Sequence, residues 1–210
     1  MKQQKLILIG GGGHCKSVIE AIQSLYSIEL SGILDPTAKG DIMGIPVIGD
    51  DTEIEKLVNQ DYHFLITVGQ IGNSFVRNKL FDLVKSHKGQ LMALAAETAT
   101  VAASATLGEG TVIMQHGFVN AEAVIGTNCI INTKVLIEHE VVIGNNTHIA
   151  TGALVNGQCR IGNNCFIGSR AVIANNITIA DNVIIGAGSV VVKDITEAGT
   201  YFGNPAKKKR

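Results

Sequence analysis

The densest run of ionisable side chains between Val101 and Val191 is Glu138-His139-Glu140. A histidine beside carboxylates is suited to general-base work, because an acidic neighbour orients the ring and stabilises its protonated form. Such a base is worth on the order of 10²–10⁴ in rate. A plain solvated turn is the competing reading. A second run of chemical interest, Gly10-Gly11-Gly12-Gly13-His14, follows the strand-like Lys5-Leu6-Ile7-Leu8-Ile9 and precedes Val18, Ile19, Ile22 and Leu25 at helical spacing. Glycines between a strand and a helix let backbone N–H groups approach a phosphate at the positive helix end. They can also serve only to pack strand on helix, although His14 is hard to explain by packing alone.

The element that must position Glu138-His139-Glu140 is a ladder of period six. From Val101 to Val191 every sixth residue is aliphatic, sixteen rungs in 91 residues, and the residue two before each rung is mostly small. Six is not a multiple of 3.6, and hairpin proteins do not keep one phase for so long, whereas a parallel β-helix does. Three units make a triangular coil of 18 residues, so about five coils are expected, with rungs stacked inward and small residues in the corners. Gly and Asn just after the rungs are expected to supply positive φ. Coil spacing sets Ala121 and Gly157 on either side of His139, predicting a slot beside the ring, and it lines up Thr151, Ser169 and Ala187 as the floor of a groove. His148 is expected on another turn of the same region. His116, His139 and His148 are 23 and 9 residues apart rather than multiples of 18, which argues against a zinc site with ligands at matched heights. Cys129, Cys159 and Cys165 fall on the small inward positions and read as reduced, buried hydrophobes; with Cys15 they make no CxxC pair.

The first part of the chain has a different rhythm. Strands at 5–9, 28–34 and 64–68, ending at Gly10, Asp35-Pro36 and Gly69, alternate with helices at about 52–58 and 73–87. The last of these is expected to carry Val76, Leu80, Leu83 and Val84 on one face. This is half of a doubly wound nucleotide-binding unit, with Asp35 where such folds put a ribose- or base-contacting acid. Cys15 stands where a dinucleotide fingerprint has its last glycine, so a nucleotide monophosphate or nucleotide-sugar fits better than NAD. The expected organisation is a Rossmann-like α/β unit at 1–92 and a β-helix with its tail at 93–210. A net charge of −1 gives no sign of a nucleic-acid protein. No apolar run approaches a membrane span and Met1-Lys2-Gln3-Gln4-Lys5 leads into a strand rather than a signal peptide, so a soluble cytoplasmic protein is expected.

The ladder resembles the left-handed parallel β-helix of hexapeptide-repeat acyltransferases. The Gly10–His14 loop, Leu34-Asp35-Pro36, Val68-Gly69, Ile137-Glu138-His139-Glu140 and Gly203-Asn204-Pro205-Ala206-Lys207 resemble one branch. That branch is the bacterial nucleotide-sugar N-acetyltransferases, a family similar to the sialic acid O-acetyltransferases. The left hand of the coil comes from this resemblance and breaks the usual crossover rule. The resemblance implies a homotrimer with active sites between neighbouring prisms, acetyl-CoA as donor, and a nucleotide-linked acceptor such as a UDP-4-amino sugar; that no metal takes part is expected from the histidine spacing. A GDP-perosamine-type or sialic acid acceptor stays open. So does a non-catalytic trimeric scaffold that binds a nucleotide-sugar. It further implies His139 as the base, Glu140 as the group raising its basicity, and His148, Gly157, Ser169 and Ala187 along acetyl-CoA. Gly12, Gly13, His14, Asp35, Pro36 and Gly69 match the nucleotide-sugar pocket, Pro36 replacing a second acid seen in some members. Lys207-Lys208-Lys209-Arg210 either meets CoA phosphates or frays as a solvated tail. Direct transfer in a ternary complex needs only both substrates in one cleft and a base within reach.

Overall fold

A computed structural model describes residues 3–209. The chain opens with β1 (Gln4–Ile9), α1 (Gly13–Ile22) and β2 (Ile28–Leu34), followed by the short strands β3 (Asp41–Ile42) and β4 (Ile45–Gly49). A 3₁₀ turn (Asp51–Glu53), α2 (Ile54–Val58), β5 (His63–Ile66), α3 (Phe75–Ser86) and β6 (Gln90–Leu91) complete the α/β unit. The strand order is β3-β4-β2-β1-β5-β6, parallel except for the β3–β4 hairpin, which the sequence pattern did not announce.

Alternation along β1 sorts its side chains between two cores. Leu6 and Leu8 face α1, where Val18, Ile19 and Ile22 meet them, and this cluster continues into Leu94, Val112, Met114 and Ile130 of the second half. Ile7 and Ile9 face the other way, against Ile54 and Leu57 of α2 and Leu80 and Val84 of α3. The apolar stripe of α3 differs from the one expected. The buried residues of that helix are Arg77, Leu80 and Val84, while Val76 is 53% exposed. The helix is turned so that a guanidinium, rather than a valine, enters the interior.

The second half is a three-faced prism, a left-handed parallel β-helix. Its first face begins at Leu94–Ala95 and continues through Val112–Ile113, Ile130–Ile131, His148–Ile149 and Phe166–Ile167 to Val183–Ile185. The second face runs from Thr100–Val101 to Val190–Val191 and the third from Thr106–Leu107 to Thr178–Ile179. Strands pair in steps of eighteen, Val112 with Ile130 and Ile130 with His148, so each rung stacks on the rung below. Ile113, Ile131, Ile149, Ile167 and Ile185 are all fully buried, with Cys129, Cys159 and Cys165 beside them. Burial raises the thiols of all three, Cys129 and Cys165 to about 11, as befits inert core residues. The α/β unit is seated on the first face.

The corners depart from the expected turn chemistry. Positive φ falls three residues after each rung from Leu107 to Ile185, at His116, Glu122, Asn128, Lys134, Glu140, Asn146, Gln158, Asn164, Arg170, Asn176 and Asn182, with Gly110, Gly152 and Gly188 in phase. The glycines directly after rungs answer a different constraint. A Cβ on Gly144 would lie 2.7 Å from the backbone of Gly162, and one on Gly126 would lie 2.8 Å from the backbone nitrogen of Asn145. They let successive coils approach, which no other residue permits. The chain closes with Gly199–Gly203 beside Val183–Ile185 and then Ala206–Lys208 turning back against it. Lys208 is held 2.8 Å from Glu197, so Lys207 and Lys208 belong to a hairpin and not to a frayed tail. Arg210 lies outside the described residues.

Candidate active site

Glu138-His139-Glu140 occupies the corner between the strands Leu136–Ile137 and Val142–Ile143, that is, between the second and third faces. His139 Nδ1 lies 3.1 Å from Glu140 Oε2. A carboxylate only accepts, so Nδ1 carries the proton and Nε2 presents its lone pair. Glu140 is fixed in turn by Gln158 Nε2, which donates to the same oxygen at 3.0 Å. Asn120 donates to Glu138 at 2.8 Å. Gln158 and Asn120 escaped the sequence reading, although each lies one 18-residue coil from its partner and that step would have found them. Gly157 does not leave a vacant slot beside the ring, as expected; the ring itself fills the space. A Cβ on Gly157 would stand 2.7 Å from His139 Nε2 and 2.8 Å from Cε1. Ser169 and Ala187 are exposed with Thr151 along a different corner, between the first and second faces.

The glycine loop lies at the carboxyl ends of β1 and β2. Gly12 caps α1 without any side-chain cap, and a Cβ on Gly12 or Gly13 would meet nothing within 4 Å, so the helix start is open to a ligand. Gly10 has φ +104° and presses on Val68, where a side chain would not fit. Asp35 is already engaged. Its Oδ2 accepts from Gly11 N at 2.7 Å, and its Oδ1 accepts from Thr37 N, Thr37 Oγ1 and Ala38 N at 2.8 Å each. Burial opposes ionisation, yet the N–H groups of Ala38, Gly11 and Thr37 and the Thr37 hydroxyl hold the carboxyl down at about 2. Asp35 therefore clasps two loops together, a role not anticipated for it. Pro36 follows at the mouth of the same cleft.

His148 is the clearest departure. It sits in a strand of the first face rather than on a turn, and it is 7% exposed. Its Nδ1 is 2.6 Å from the Gln70 carbonyl, its Nε2 is 3.1 Å from Asn132 Nδ2, and Phe166 meets its ring edge-on. With Nδ1 donating and Nε2 accepting, both nitrogens are used, and neither is free for the acyl carrier that the resemblance assigned to it. Burial, and secondarily the charge of Arg77, lower His148 to about 4, although its bond to Gln70 opposes the shift. Burial, Arg77 and His148 lower His14 to about 3, and His14 Nε2 is buried without a partner. Gly69 backs His14, with a would-be Cβ 3.6 Å from His14 Cβ. Arg77 itself is fully buried with no carboxylate beside it. It donates to the carbonyls of Ile66 (2.9 Å) and Val68 (2.7 Å) and to O and Oδ1 of Asn128 (3.1 and 2.7 Å). Gln70, Arg77 and Asn128, none of them foreseen, thus stitch the α/β unit to the prism. Among the described residues no three His, Cys, Asp or Glu side chains converge on a metal position.

Comparison with known proteins bears on both halves. Residues 5–84 match the family model of the PglD N-terminal domain, and residues 158–193 match the bacterial transferase hexapeptide model of six repeats. UDP-N-acetylbacillosamine N-acetyltransferase of Bacillus subtilis is 34% identical over 117 residues, 53% of this chain and 51% of that protein, so the match spans about half of this curated relative. The acetyltransferase domain of PglB from Neisseria gonorrhoeae, solved alone and with acetyl coenzyme A, is 33% identical with a TM-score of 0.93. The alignment covers 99% of this chain and all of that one. PerB from Caulobacter crescentus, solved with CoA and GDP-perosamine, is 32% identical with a TM-score of 0.90, over 98% and 97% of the two chains. A PglD-type α/β unit seated on a hexapeptide prism, matched along nearly the whole chain at this identity, places the protein in the family of nucleotide-sugar N-acetyltransferases.

Proposed function

We propose that this protein transfers the acetyl group of acetyl-CoA to the amino group of a nucleotide-linked sugar, with His139 as the general base. The observation that carries this reading is the His139–Glu140 pair, whose Nδ1 contact at 3.1 Å leaves Nε2 as the accepting atom on a half-exposed corner. The amine attacks the thioester carbonyl, the C–S bond breaks, and the proton lost by nitrogen passes to Nε2. From there it can reach the departing thiolate, so no covalent enzyme intermediate is required. The open N-terminus of α1 at Gly12–Gly13 suits the diphosphate of the acceptor.

One chain does not bring these parts together. The α/β unit sits on the first face, and His139 stands on the opposite corner of the triangle. A homotrimer resolves this by bringing one copy's nucleotide cleft to its neighbour's His139. The second face supports such packing, since its outward side chains Phe118, Leu136, Leu154, Val172 and Val190 form an apolar stripe. In that assembly acetyl-CoA lies in the groove between copies, with the exposed Ser169–Ala187 column as one wall. The test is thiol release from acetyl-CoA in the presence of UDP- and GDP-linked 4-amino sugars, with His139→Ala as the variant. We expect the variant to keep its assembly and both ligand affinities while kcat falls by about 10²–10⁴. Turnover at the parent rate would remove His139 from this role, and absence of CoA binding in calorimetry would remove the transferase reading altogether.

A further inference from the structure

The nucleotide cleft of the α/β unit has a chemistry of its own beyond the open start of α1. A cavity of about 330 Å³ opens at the carboxyl ends of β1, β2 and β5, with Gly10, Asp35, Asp51, Val68, Phe75 and Lys79 in its wall. Its size is at the lower end of small-ligand pockets, and the carboxyl edge of an open α/β sheet is where such folds take ligands. Phe75, the first residue of α3, is 69% exposed and offers a flat apolar face. Asp51 opens the 3₁₀ turn across the cavity, and Lys79 stands one helical turn beyond Phe75. Among the described residues neither the Asp51 carboxylate nor the Lys79 ammonium has a hydrogen-bonding or ion-pair partner. Burial, reinforced by Asp50, raises the Asp51 carboxyl, against the opposing charge of Lys79 nearby.

We propose that this cavity seats the base of a guanosine diphosphate-linked sugar, with the purine stacked on Phe75 and read along its edge by Asp51 and Lys79. This rests on the nucleotide-sugar reading above and names its nucleotide. Guanine presents N1–H and N2–H side by side, two donors matched to the two oxygens of one carboxylate, and next to them O6, an acceptor for an ammonium. Uracil presents a single donor, N3–H, between two carbonyls, so one Asp51 oxygen would face a carbonyl lone pair. Gly10 belongs both to the cavity wall and to the loop that leads to Gly12–Gly13, which puts the diphosphate next to the base. The uridine nucleotide implied by the sequence resemblance is the poorer fit to this edge.

The experiment is calorimetric titration of the full chain with GDP, UDP and XDP, repeated on Asp51→Asn and Lys79→Ala. GDP should bind about 10–100-fold more tightly than UDP. Asp51→Asn should lose that preference and gain XDP, because xanthine replaces the N2 amine by a carbonyl that the new amide can donate to. Lys79→Ala should weaken GDP. Equal affinity for GDP and UDP in the parent, or unchanged GDP affinity in Asp51→Asn, overturns the base assignment and leaves the nucleotide-sugar reading intact. Failure of every nucleotide to bind overturns both.

Discussion

His139 owes its position to an absence one coil away. The imidazole rests where any side chain at position 157 would stand, 2.7 Å from Nε2, so Gly157 is a seat for the ring. The ring is about half exposed, 51% by side chain, and can swing away from a new methyl group at little cost to folding. Gly157→Ala is therefore a positioning change, and a misplacement of the order of 1 Å can cost about 10² in rate. We expect kcat to drop by about that factor, with KM for both substrates and the melting temperature nearly unchanged. Steady-state kinetics discriminates sharply. A raised KM for acetyl-CoA with kcat retained would instead make Gly157 the groove wall that the family resemblance implied.

At the scale of elements, the period-six ladder was legible from the sequence because a solenoid repeats one contact, so the rung, the small corner residue and the coil length all reappear at fixed steps. β1, β2 and the two longer helices were legible for a similar reason, since their cores are patterned locally. The seam between the halves was not legible. His148 occupies an outward strand position that faces solvent in a bare prism, and only the seating of the α/β unit on the first face turns it into a buried partner of Gln70. Arg77 likewise reads as an exposed helix residue, yet α3 is rotated to bury it. Asp35 was placed correctly, but its four hydrogen bonds depend on a loop geometry that no spacing reveals. Arg77 gives the second prediction. Its replacement by Met removes a buried charge but takes the guanidinium donors from Ile66 O, Val68 O and both oxygens of Asn128, for a net loss on the order of 3 kcal/mol. Lys cannot restore the fork. Urea unfolding of Arg77→Met should split into separate transitions for the α/β unit and the prism; one transition at the parent midpoint would mean that the apolar contact alone holds the halves together.

The whole molecule is an α/β unit and a prism sharing one seam, and that seam contains two histidines held neutral beside a cation. Both have folded-state pKa values below the ordinary 6.5, His148 at about 4 and His14 at about 3, because burial and Arg77 penalise the imidazolium. The unfolded chain therefore takes up protons between pH 6.5 and about 4 that the folded chain refuses. The stabilisation is complete above pH 6.5, falls as the pH drops through this window, and is gone once both rings are protonated in either state. Asp35 adds a loss of the same sign between its ordinary 3.8 and about 2, a window that overlaps the end of the His14 titration at about 3 but lies below that of His148 at about 4. Unfolding free energy measured across this range should show net uptake approaching two protons per chain, with urea as denaturant so that each pH is compared at one temperature. His148→Asn keeps a polar group at the seam but removes one titration, so its slope should fall to about half while the loss below pH 3.8 persists. An unchanged slope in that variant would show that the ring is already protonated in the fold, in which case the Gln70–His148–Asn132 chain is held by an imidazolium and its donor and acceptor assignments must be reversed at Asn132.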